Sequence, residues 1–298
     1  MTSQCPKPGD IESTGTSDWS EGGSAPILAA MMDRSDHLHP AAARSVGGRL
    51  SAAGARACTA ALDILFPPAC VGCRRTVDGH SGLCGSCWRG MRFIERPFCE
   101  RLGTPFAQDL GAGLQSPEAL ARPPVYGRAR AVVRFEDGPA RKLMHGLKYG
   151  DRLDLARPLG AWMARAGFEL LADANLIVPV PLHRARFARL WKRQFNQAAA
   201  LAREVSRASG VAWDPMPLLR VKATASQVGM SRAQRIENVQ GAFTVEPALK
   251  GSVAARRIVL VDDVLTTGST LNAASRALLR AGAANVDVLV FARVVTES

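Results

Sequence analysis

An α/β fold with a parallel-type sheet flanked by helices is predicted by three features of this 298-residue chain. Residues 176–180 and 258–261 carry large apolar side chains at nearly every position, as strands buried on both faces do. Stretches of helical spacing alternate with such runs, the order that βα repeats require. One run, 258–261, leads directly into two adjacent carboxylates, Asp262 and Asp263, and then into a Thr-rich turn that opens a helical stretch. Open α/β sheets bind their ligands outside strand ends of this kind.

Taken in order, residues 1–46 are rich in Ser, Gly, Pro, Asp and Thr and lack periodicity. They are expected to be a disordered tail or to precede the true start, with Met31 and Met32 as alternative initiators. Residues 47–66 place Leu50, Ala53, Ala57, Ala61, Ile64 and Leu65 at helical spacing, and Pro67-Pro68 ends that helix. It joins a cysteine module to complete a unit over 47–102. Residues 103–125 are loose and Gly/Pro-rich, the composition of a linker. The main domain is expected over 126–298. It begins with a strand at 130–135 and a helix from Gly138-Pro139 with Ala140, Leu143, Met144 and Leu147 on one face. A second helix is expected over 152–172, then the strand at 176–180. Trp191, Phe195, Ala198, Ala202 and Val205 stripe the next helix, and 216–221 reads as a strand. After the 258–261 strand, a helix over 269–281 closes at Gly282, and 286–295 supplies the last strand.

The chain carries a net charge of +12 and a pI near 10.0. Residues 1–60 hold five Lys/Arg against six Asp/Glu, so the other 33 cations and 20 anions give residues 61–298 a net +13. A field of that sign attracts polyphosphates or nucleic acid, and it also suits a well-solvated surface. No run of 18 or more apolar residues exists, so no membrane insertion is expected. The start lacks a basic segment followed by an apolar one, so no secretory signal is read.

Cys70-x2-Cys73 and, ten residues on, Cys84-x2-Cys87 set four thiolates on two tight knuckles. That spacing suits one tetrahedral Zn²⁺ with no open position, hence a structural site. A redox pair is the competing reading, and it lacks a thioredoxin-like context. Paired CxxC motifs of this kind belong to a reducing compartment, and the cytoplasm is the expected location.

The 266–270 turn, Thr-Thr-Gly-Ser-Thr, offers unpaired N–H groups at a helix start, hydroxyls beside them and a glycine that admits close backbone approach, which suits a phosphate monoester. The whole segment IVLVDDVLTTGST resembles the 5-phosphoribosyl-1-pyrophosphate (PRPP) fingerprint of type I phosphoribosyltransferases. The resemblance implies that Asp262 and Asp263 hold the ribose hydroxyls. It likewise implies that Thr266, Thr267, Gly268, Ser269 and Thr270 cradle the 5′-phosphate, with Mg²⁺ accompanying PRPP.

Residues 178–183, VPVPLH, precede Arg184, Arg186, Arg189, Lys192 and Arg193, and then Phe195-Asn196-Gln197. By charge alone this is an exposed basic helix face. Placed after a buried strand of a phosphoribosyltransferase-like domain, it matches that family's pyrophosphate loop, with Pro181, His183, Arg184 and Arg186 as the implied contacts. The order of cysteine knuckles, PVPLH, FNQA and VDDVLTTGST resembles the competence protein F (ComF) family of double-zinc-ribbon, phosphoribosyltransferase-like proteins. Lys148-Tyr149-Gly150 matches another of its landmarks, although a lysine ending a helix is also explained by the helix dipole. Gln227, Arg235, Asn238, Gly241, Ala242 and Phe243 fit its Q…R…N…GAF segment, a mobile loop over PRPP in phosphoribosyltransferases.

The chain departs from the family twice. Cys99-Glu-Arg-Leu102 lacks the second thiol of a further CxxC, so one zinc is expected, and the basic loop is longer than usual, with Gln194 before FNQ. The resemblance implies binding of PRPP or a related phosphoribosyl or nucleotide ligand, a phosphoribosyltransferase activity with no acceptor identified, and a role in DNA uptake and natural transformation. Its alternative is a catalytically silent fold that binds single-stranded DNA or partners a competence helicase.

Overall fold

A computed structural model describes residues 67–79, 82–109, 111, 113–149, 152–182, 196–224 and 229–295. The expected tail, the 47–66 helix, and residues 183–195 with His183, Arg184 and Arg186 lie outside them.

The main sheet is built around β5 (Arg257–Leu265), which pairs in parallel with β6 (Asn285–Arg293) on one side and β2 (Leu176–Pro179) on the other. Strand β1 (Ala129–Arg134) adds in parallel to β6, so the order is β1-β6-β5-β2. A separate antiparallel pair is formed by β3 (Leu218–Arg220) and β4 (Phe243–Val245). Successive side chains of a strand point to opposite faces. Both faces here are dry, which is why the sequence runs are continuously apolar. Ile258 and Leu260 join Val288 and Val290 in one layer; Val259 and Val261 join Leu289 and Phe291 in the other. Each such side chain contributes roughly 1.5–3 kcal/mol by burial.

In the chain, α1 (Gly85–Arg89) and α2 (Pro117–Ala121) precede the sheet, and α3 (Pro139–Tyr149), α4 (Ala156–Ala166), α5 (Phe168–Ala172) and α6 (Gln197–Ser209) cover the Val259 face. Helices α7 (Arg232–Val239) and α8 (Lys250–Val253) follow, and α9 (Ser269–Arg280) covers the opposite face through Leu271, Ala274 and Leu278. Among the described residues, no helix is long and apolar enough to cross a membrane. Helix α9 ends as expected at Gly282: with φ +98°, it donates its N–H to Leu279 O at 3.0 Å while Ala283 N–H reaches Leu278 O at 3.2 Å. That pair of bonds is the Schellman motif.

Two expectations are revised. The helix expected over 152–172 is a 3₁₀ turn, Leu153–Leu155, followed by α4 and α5 with a break at Gly167. A Cβ on Gly167 would lie 2.7 Å from Leu289 Cδ1, so the break lets the end of α4 press onto β6. Strand β5 also continues past its apolar run, with ladder partners Asp262–Val290, Val264–Ala292 and Leu265–Arg293. Backbone pairing with the equally long β6 carries the strand through both carboxylates.

Neither sheet edge is left bare, a state that invites pairing with other chains. Ile94 N–H donates to Val132 O at 2.9 Å and Arg134 N–H to Arg92 O at 2.8 Å, closing the β1 edge. Ile177 N–H donates to Ala212 O at 2.8 Å and Asp214 N–H to Ile177 O at 3.0 Å, closing the β2 edge.

Helices α4 and α6 cross at Gly160, where an added Cβ would meet Glu204 Cβ at 2.5 Å. Overpacking of this kind costs about 1–3 kcal/mol, so Gly160→Val should lower the melting temperature by roughly 2–12 °C in calorimetry.

Candidate functional site

The first acid, Asp262, and the hydroxyl turn meet in one cavity of about 160 Å³, lined by Lys148, Asp262, Thr266, Gly268, Ser269 and Thr270 among others. Asp262 and Asp263 occupy successive positions of β5, so they leave opposite faces of the strand. Asp262 Oδ1 accepts the Asp263 N–H at 2.9 Å, which folds its carboxylate over the backbone. Gly268 adopts φ +75° as the residue preceding α9, a left-handed conformation that most side chains disfavour. Its carbonyl accepts the Asn272 N–H at 2.8 Å, and the Thr267 and Ser269 hydroxyls lie 2.9 Å apart. The first N–H groups of α9 therefore emerge beside three hydroxyl side chains, a surface for a phosphoryl group. Asn272 Oδ1 takes the Val125 N–H at 2.7 Å, which ties the segment before β1 to the back of this turn.

Cations act on the cavity's residues from three other elements. Lys148, in the last turn of α3, places Nζ 2.9 Å from Asp263 Oδ2. Burial works against its charge, but Asp263 more than offsets that and raises the ammonium above its ordinary value. The helix-dipole explanation of Lys148 thus misses its partner. Arg235 on α7 directs Nη1 to Thr266 Oγ1 at 3.4 Å. Arg220 on β3 lies against the Phe243 ring, and its charge favours the ionised form of Asp262. Of these, Arg235 was legible only through the Q…R…N…GAF pattern, and Arg220 carried no sequence signal. Lys148 had one, the Lys148-Tyr149-Gly150 landmark, and it borders the apolar stripe of α3.

Burial, and next the neighbouring Asp263 charge, push the Asp262 carboxyl up to about 7. The folded chain therefore keeps a proton that the unfolded chain releases near 3.8, and stability is lost as pH rises through that window. Asp262→Asn removes the penalty. The variant should melt several degrees above the parent at pH 8, with the advantage shrinking as pH falls towards 4; equal melting at pH 8 contradicts this.

Away from this cavity, the sulfurs of Cys70, Cys73, Cys84 and Cys87 all lie within 4.8 Å of one another. A tetrahedral Zn²⁺ ~2.3 Å from each thiolate would space them about 3.8 Å apart, so the set fits such an ion. Cys84 N–H donates to Cys70 Sγ at 3.2 Å, and Ser86 Oγ lies 3.1 Å from Cys84 Sγ. That hydroxyl is the main cause holding the Cys84 thiol down to about 6, poised to ionise as a metal ligand must.

Comparison with known proteins agrees with both halves. The double zinc ribbon domain matches residues 61–118, and the phosphoribosyl transferase domain matches residues 198–296. The chain is 34% identical over 236 residues to the DNA utilization protein YhgH of Salmonella typhimurium (strain LT2), covering 77% of this chain and 99% of that one. The YhgH protein of Escherichia coli (strain K12) is 33% identical with the same coverage. Competence protein F of Haemophilus influenzae is 30% identical over 242 residues, 75% of this chain and 96% of the relative. The chain belongs to the competence protein F family. Its fold is the family's phosphoribosyltransferase-like parallel sheet preceded by a zinc-ribbon module, and the ribbon match together with the four-cysteine cluster points to zinc. Of the competence protein F landmarks, Lys148 and residues of the 262–270 segment line one cavity, and Arg235 reaches its Thr266. Pro181 is described and half-buried just past β2, whereas the rest of the expected pyrophosphate loop, His183, Arg184 and Arg186, and also Gln227, lie outside the described residues.

Proposed function

We propose that this chain binds the phosphoribosyl group of PRPP, or of a nucleotide carrying the same group, at the junction of β5 and α9. The observation that carries the reading is a single cavity that joins Asp262, the helix-start hydroxyl turn and Lys148, with Asp263 tied to it through its 2.9 Å ion pair with Lys148. In this reading Asp262 and Asp263 accept hydrogen bonds from the ribose hydroxyls, and 266–270 donates to the 5′-phosphate. Lys148 orients Asp263, and Arg235 holds Thr266. Pro181, His183, Arg184 and Arg186 face the pyrophosphate, where Mg²⁺, when bound, neutralises charge on the leaving group. Group transfer at such a site breaks the C1′–O bond to pyrophosphate as an acceptor nitrogen bonds to C1′, and the protein supplies positioning and charge. Isothermal titration with PRPP and Mg²⁺ tests the reading. One binding event per chain supports it, and the absence of heat or of a shift in melting temperature contradicts it.

A second reading is favoured by the net +13 of residues 61–298 and by relatives named for DNA utilization and competence. Under it the chain acts in the cytoplasm in DNA uptake, contacting single-stranded DNA or a competence helicase. Binding of a labelled oligonucleotide should then weaken steeply with salt. Charge reversal at Arg184, Arg186 and Arg189 should abolish it; unchanged binding excludes the loop from that role.

A further inference from the structure

The cysteine knuckle at 70–73 is built by a set of backbone bonds. Ala69 and Thr76 form an antiparallel bridge, Cys70 N–H donates to Arg75 O at 2.7 Å, Arg74 N–H to Cys70 O at 2.9 Å, and Val77 N–H to Pro68 O at 2.9 Å. Arg74 takes the left-handed conformation, with φ +68°. The same set recurs with every residue 29 positions later (Cys70 to Cys99). Phe98 and Pro105 form the bridge, Cys99 N–H donates to Thr104 O at 2.8 Å, Gly103 N–H to Cys99 O at 2.6 Å, and Phe106 N–H to Pro97 O at 2.9 Å. Gly103 has φ +66°.

The second half of the ribbon recurs as well. Cys84 precedes α1, and Cys87 is the third residue of that helix. Ser116 precedes α2, and Ala119 is its third residue. Cys84 N–H donates to Cys70 Sγ at 3.2 Å, and Ser116 N–H donates to Cys99 Sγ at the same 3.2 Å. Residues 103–125, linker-like in composition, thus contain half of a ribbon.

The geometry points to a second ribbon that has exchanged its metal for an apolar centre: Cys99, Leu102, Ser116 and Ala119 stand at the four positions that Cys70, Cys73, Cys84 and Cys87 hold in the first. Only one of the four is a thiol, and the set does not fit a zinc ion. Cys99, Leu102 and Ala119 are instead packed together under Phe106, with Cys99 fully buried. A module this small lacks a sufficient core of its own, so something must replace the metal. The replacement is the main sheet. The buried Arg130 of β1 pairs with the Glu100 carboxylate and donates to the Glu100 carbonyl at 3.2 Å. Arg293, at the end of β6, donates to Leu102 O. Gly103 lies so close to β1 that a Cβ would be 2.7 Å from Ala129 O. The match of the double zinc ribbon domain across 61–118 is therefore a match of topology, and this chain carries one metal.

Metal content of the full chain, purified under reducing conditions, tests the inference. The parent and Cys99→Ala should each hold one zinc per chain. The variant Leu102→Cys/Ser116→Cys/Ala119→Cys should bind one metal more than the parent, and Co²⁺ titration should double its thiolate charge-transfer band. Two zincs in the parent, or zinc lost from Cys99→Ala, would overturn the inference without recourse to the triple variant. So would a triple variant with native circular dichroism and no added metal.

Discussion

The double variant Asp262→Asn/Asp263→Asn should bind PRPP and Mg²⁺ at least about 100-fold more weakly than the parent, because two hydrogen bonds to charged acceptors contribute on the order of 3 kcal/mol together. Ionising Asp262 costs stability, with burial and Asp263 opposing the charge and Lys148 and Arg220 in its favour. Asp263 is held by Lys148 at 2.9 Å. A residue that costs stability in the free protein and repays it only with ligand present is a common trade-off at binding sites. This separates the two effects experimentally: Asp262→Asn alone should melt higher than the parent at pH 8 and still bind PRPP more weakly. A variant that loses binding only by losing its fold would show the opposite melting shift. Titration calorimetry and melting curves on the same samples decide between them.

Removal of zinc from the Cys70–Cys87 cluster should have the largest effect on local stability. Structural Zn²⁺ sites of this type contribute on the order of 10 kcal/mol. Between 67 and 91 the apolar anchors on the main domain are few: Val71, Met91, partly Leu83, and Trp88, whose ring meets Trp162 edge-on at 6.1 Å. Polar attachment adds Arg152 Nη1 donating to Val71 O at 3.0 Å. These contacts alone do not hold a segment of that length. Chelation, or Cys84→Ser, should therefore release the metal and collapse amide protection over 68–89 in hydrogen exchange. The second ribbon and the sheet should keep theirs, because Arg130, Arg293 and the Cys99 cluster do not depend on metal. Unaltered protection at 68–89 after metal loss would contradict this, and so would melting of 97–121 along with it.

Much of the fold was legible because buried parallel strands are written as consecutive apolar residues. Leu176 to Pro179 and Ile258 to Val261 form β2 and the start of β5 as expected, and Gly282 closes α9. The helix break at Gly167 was not legible, since its cause is the approach of Leu289, more than a hundred residues away. The site divides in the same way. Asp262, Asp263 and the 266–270 turn are contiguous in sequence, so their joint chemistry could be read there. Lys148, Arg220 and Arg235 enter from α3, β3 and α7, and only folding brings them together. The second ribbon was hidden for another reason. Its ligand pattern has been lost, while its backbone bonds, which no residue type spells out, are kept.

A crystal of the protein grown with PRPP and Mg²⁺ tests the central claim most directly. The ligand should appear with its 5′-phosphate on the 267–270 amides and hydroxyls, and its ribose diol against Asp262 and Asp263. Density for the ligand elsewhere, or a cavity between β5 and α9 filled by the protein's own side chains at saturating ligand, would contradict the account.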